Sequence, residues 1–84
     1  MSTYTLQRLL RDVNRDPALR ERYFAEKDAF VAGYALTPEE RSAILAFDVG
    51  KLYALGVHGL LLRPFTIIHK MSEPDYLRAI RREA

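Results

Sequence analysis

Eighty-four residues, nearly half of them hydrophobic and none of them cysteine, describe one thin-cored domain without disulfides or thiolate metal sites. The net charge is +2 and the acids are interspersed among thirteen bases, which makes no case for nucleic acid as a partner. Met1 to Arg8 lacks the apolar run of a signal peptide, and the longest apolar run, Gly59 to Leu62, is too short for a bilayer, so a cytoplasmic protein without membrane contact is expected.

The pattern is helical from end to end. Thr3 to Val13 carries Leu6, Leu9, Leu10 and Val13 on one stripe. Asp16-Pro17 then reads as an N-cap with proline at the first helical position, opening a helix with Leu19, Tyr23 and Phe24. A short segment near Lys27 to Gly33 carries Phe30 and Val31 and ends at Gly33 or Tyr34. Thr37-Pro38-Glu39-Glu40 combines an N-cap hydroxyl, a tolerated proline, a capping box and negative charge at the positive end of the dipole. Its helix presents Ile44, Leu45 and Phe47. Asp48 caps the next helix, which holds Leu52, Tyr53 and Leu55, and Gly56 closes it in a left-handed conformation.

Val57 to Lys70 is apolar on most sides, which predicts the central and most buried helix, with a kink or break at Pro64. A strand over Phe65 to Ile68 would have no partner. Ser72 caps a last helix with Pro74 and Asp75 in its first turn and Tyr76, Leu77 and Ile80 on its apolar face. The expectation is a single all-α domain over 1–84, a compact orthogonal bundle of six to seven short helices with no sheet.

Few residues carry chemistry. His58 and His69 are the two histidines, about 16 Å apart if one helix joined them, too far to share a metal. No metal-ligand spacing accompanies either. His58 follows the Gly56 cap, where a side chain emerges at the rim of a fold. Asp16, Glu39, Glu40, Asp48 and Asp75 are accounted for by caps and first turns, while Asp12, Glu21, Glu26, Asp28, Glu73 and Glu83 read as solvated. Arg78, Arg81 and Arg82 read as charge favourable to a helix C-terminus. Ser2, Ser42 and Ser72 lack a nucleophile setting, and Tyr23, Phe24, Phe30, Tyr34, Phe47, Tyr53 and Phe65 read as core. The nine Phe and Tyr are generous for this length and leave apolar surface for a partner. From residues alone this is a small helical domain that is not an enzyme by itself.

Residue order adds more. Arg20 to Phe24, Asp28 to Leu45, Asp48 to His58, Leu61 to Arg63 and Met71 to Tyr76 together resemble the small alpha subunit of protocatechuate 4,5-dioxygenase over about four-fifths of the chain. The resemblance implies a non-catalytic lid on a larger catalytic subunit. That subunit holds Fe(II) with two histidines and a glutamate and cleaves catechol-like aromatics with oxygen; this chain then needs no cofactor of its own. The family's longer loop before the last helix, which brings an aromatic residue to the substrate, has no counterpart between His69 and Ser72. His58, with Arg63, Phe65 and His69, is what remains to face the partner or the substrate pocket, and Arg63 is suited to a substrate carboxylate. Two other readings stand beside it: a stand-alone helical interaction or small-ligand-binding module, and an enzyme using His58 as base.

Overall fold

The computed structural model describes residues 4–83, with the side chains of Arg82 and Glu83 outside the description. Seven α-helices follow one another: α1 (Tyr4–Arg15), α2 (Pro17–Ala25), α3 (Lys27–Ala32), α4 (Pro38–Leu45), α5 (Val49–Ala54), α6 (Gly59–Ile68) and α7 (Glu73–Glu83). No strand occurs among the described residues. The all-α expectation holds; Ser2, read as lacking a nucleophile setting, Thr3, where the first helical stripe is expected to begin, and the side chain of Glu83, read as solvated, lie outside the described residues.

The helix starts follow from capping chemistry. Asp16 Oδ1 accepts the N–H groups of Ala18 and Leu19 at 2.9 and 3.3 Å. At α4 the capping box is complete: Glu40 N–H donates to Thr37 Oγ1 (3.1 Å) and Thr37 N–H donates to Glu40 Oε1 (2.9 Å). Lys51 N–H donates to Asp48 Oδ1 and Asp75 N–H to Ser72 Oγ, at 3.1 and 3.3 Å.

Three helix ends share one device, the Schellman motif, in which the residue after the C-cap turns left-handed and two N–H groups reach back into the last turn. After α5 that residue is Gly56, at φ 104°, with Val57 N–H donating to Leu52 O. After α4 it is Phe47, at φ 51°, with Asp48 N–H donating to Ala43 O. After α6 it is Lys70, at φ 63°, with Met71 N–H donating to Thr66 O. A side chain in this conformation costs about 1–2 kcal/mol, which glycine avoids. Phe47 therefore lies outside α4 rather than on its apolar face.

The core is built around α1, whose Leu6, Leu9, Leu10 and Val13 are all fully buried. Each buried leucine contributes about 1.5–3 kcal/mol relative to exposure. Helices α2 and α6 pack on α1, and α5 packs on α4, α6 and α7. Tyr23, Val31, Ile44, Leu52, Leu62 and Phe65 complete the interior.

Several expectations are corrected. Helix α6 is not the most buried element: Leu62, Phe65 and Thr66 face inward, while Leu60 and Ile67 are 79% and 55% exposed. Phe24 and Tyr53, read as core, are 42% and 41% exposed. Of the two outcomes expected at Pro64, a kink or a break, the break does not occur, since α6 runs on to Ile68. Proline there removes one in-helix donor, to the carbonyl of Leu60, and Leu60 is the most exposed large apolar residue described, so solvent is at hand. Asp12 is not merely solvated, since Tyr34 O–H donates to its Oδ2 at 2.6 Å.

Candidate functional site

The most distinctive constellation surrounds His69. As the C-cap of α6 it sits where the chain turns out of the helix, and its ring swings back towards α2. Its Nδ1 lies 2.7 Å from the carbonyl oxygen of Phe65, which can only accept. Nδ1 therefore carries the proton, and Nε2 accepts from the Tyr23 hydroxyl at 2.9 Å. Both ring nitrogens are engaged.

Four aromatic rings enclose this imidazole. Phe47 stacks on it at 4.0 Å between centroids and 15° between planes, and Phe65, Phe24 and Tyr23 lie at 4.6, 4.9 and 5.5 Å. The left-handed turn at Phe47 precedes this stacked ring, so backbone strain and the imidazole box meet at one residue. Lys70, the other strained non-glycine residue described, is the chain neighbour of His69.

Electrostatics follow from the enclosure. Burial holds the His69 pKa below the ordinary 6.5; the bond to the Phe65 carbonyl opposes that shift, and the ammonium of Lys27 adds to it. Burial likewise pushes the Tyr23 phenol well above its usual 10. Outside the box runs an open cleft of about 450 Å³ lined by Phe24, Lys27, Ile68, His69 and Lys70. Lys27 Nζ stands 5.4 and 5.6 Å from the Tyr23 and Phe24 ring centroids, a cation–π arrangement. The cleft thus combines aromatic rings with two lysines in its lining.

The other candidates lie elsewhere. His58 is exposed and caps α6: its Nδ1 accepts the N–H of Leu60 at 3.0 Å, and its own N–H donates to Gln7 Oε1 at 2.9 Å. Arg63 is half-buried, with Nη1 donating to Thr66 Oγ1 (3.0 Å) and the Met71 carbonyl (3.3 Å) and its guanidinium 5.1 Å above the Tyr76 ring. Phe65 is fully buried and presents no surface to a partner; it supports the His69 box from beneath. Of the four residues, the structure brings together Phe65 and His69 and leaves His58 and Arg63 in structural tasks. Tyr23, Phe24, Lys27 and Phe47 were not selected from the sequence as site residues. They come from α2, α3 and the α4–α5 corner, and no spacing links them to His69.

Among the described residues no group of three or more His, Cys, Asp or Glu side chains could hold a metal ion. Nor is any described helix long and apolar enough to cross a membrane.

Fold and site together define a small helical domain whose two histidines are engaged in internal hydrogen bonds and which shows an apolar and cationic cleft to the outside. The family is explicit: the chain belongs to the LigA family, described as the LigA subunit of the aromatic-ring-opening dioxygenase LigAB, whose model matches residues 6–82. No curated protein and no solved structure matches the chain.

Proposed function

We propose that this chain is the non-catalytic small subunit of an Fe(II)-dependent aromatic-ring-opening dioxygenase. It packs over the active site of a larger catalytic subunit in a cytoplasmic hetero-oligomer. The observation that carries the reading is the family match over residues 6–82; the fold by itself names no activity.

The donor chemistry of the chain agrees with this division of labour. His69 has both nitrogens engaged by Tyr23 and Phe65, and His58 spends Nδ1 on a helix cap. These two histidines do not fit an iron centre, which supports the reading that the Fe(II) and its oxygen chemistry reside in the larger subunit. The substrate is a catechol-like aromatic held at the shared interface. This chain's share is to close the pocket and exclude water.

The test is to purify the complex with a larger subunit of this dioxygenase class, separate the subunits and count iron in each. Iron confined to the larger subunit, with both subunits in one complex, is the expected result. Stoichiometric iron in this chain, or no complex, overturns the reading.

A further inference from the structure

Helix α6 turns an uncharged side to solvent. Leu60, Pro64 and Ile67, at i, i+4 and i+7, fall on one side of the helix. Leu60 and Ile67 are separated by about 10 Å along the axis. Of the α6 residues, Gly59, Leu60 and Ile67 are the exposed ones, and none carries a polar side chain. The only charge in the helix, Arg63, folds onto Tyr76, Thr66 and the Met71 carbonyl. At its C-terminal end the stripe runs through Ile68 into the cleft floored by Phe24 and His69. Lys27 and Lys70 stand at that end; the ion pairs among the described residues, Lys51–Glu39 and Arg78–Asp75, use neither.

An apolar stripe that ends at a cleft lined by two lysines calls for a particular kind of cover. Resting on the reading of the chain as a small subunit, we propose that the α6 face and the Phe24–His69 cleft are the docking surface for the larger subunit. The partner meets it with an apolar segment whose end carries carboxylates between Lys27 and Lys70. Apolar burial at Leu60 and Ile67 supplies the affinity, and the lysines supply orientation and steering. The left-handed turn at Lys70 sets the direction in which its side chain leaves the backbone.

The test is a titration of the purified larger subunit, from a LigAB-type dioxygenase of the same organism, against the chain and four variants. Leu60→Glu/Ile67→Glu should bind at least about tenfold more weakly. Lys27→Glu/Lys70→Glu should weaken binding and flatten its dependence on salt. Ser42→Glu, on the exposed side of α4, should bind like the wild type. Melting curves establish that each variant folds, and Leu60→Lys/Ile67→Lys checks that the loss is not specific to added negative charge. Wild-type affinity in both α6 variants overturns this surface while leaving the small-subunit reading intact. Equal weakening by Ser42→Glu overturns it too. No binding by the wild-type chain overturns both. Self-association of the chain that Leu60→Glu/Ile67→Glu abolishes assigns the face to a second copy and overturns the proposal. Unchanged binding by the lysine variant overturns the acidic character given to the partner.

Discussion

Tyr23→Phe keeps the ring that packs on Phe24, Phe30 and Phe65 and removes only the hydroxyl that donates to His69 Nε2. Tyr23 is fully buried and His69 half-buried, so the freed acceptor is poorly placed to recover a water. Leaving such a group unsatisfied costs about 1–3 kcal/mol. For a domain of this size each kcal/mol moves the melting temperature by about 4–8 °C, so a drop of several degrees is expected in a calorimetric scan above about pH 7.5, where the imidazole is neutral. The pH dependence carries a second sign. The His69 pKa is lower in the folded chain than the ordinary 6.5, so the unfolded chain binds the proton more readily. The wild-type stability this group contributes is complete above 6.5 and is lost as pH falls from there through the depressed folded value. Removing the imidazole, as in His69→Phe, should abolish that part of the slope. An unchanged melting temperature in Tyr23→Phe, or a wild-type slope retained in His69→Phe, refutes the assignment of a neutral, doubly bonded imidazole.

Three further perturbations probe the frame. Thr37→Ala removes the acceptor of the capping box and should cost about 1 kcal/mol by urea denaturation. Lys70→Gly relieves the left-handed strain at the end of α6 and, net of the greater freedom of glycine in the unfolded chain, should stabilise by about 0.5–1 kcal/mol in the same assay. The Tyr34 phenol is raised to about 12, first by burial and then by its bond and proximity to the Asp12 carboxylate. Asp12→Asn should lower it towards 10 in a spectrophotometric titration, since the charge is gone while burial stays.

The local chemistry of helix ends was legible because it is written within a few residues. Asp16-Pro17, Thr37 to Glu40, Asp48, Gly56 and Ser72 all do what their types predict. The four-residue stripe of α1 was legible for the same reason. What composition obscured was direction. Helix α6 is rich enough in apolar residues to read as buried all round, yet only one side meets α1 and α5. The left-handed turns at Phe47 and Lys70 had no glycine to announce them. The His69 box was illegible because Tyr23 lies 46 residues away in sequence and the pairing exists only once α2 meets α6. His58, at the end of a conspicuous capped corner, drew attention that the structure explains as capping.

The small-subunit reading stands or falls on oxygen uptake with a catechol, measured for the iron-loaded larger subunit alone, this chain alone, and the two together. That reading predicts no uptake by this chain alone and turnover by the larger subunit that rises when this chain is added. Uptake by this chain alone, or turnover by the larger subunit indifferent to its addition, contradicts it.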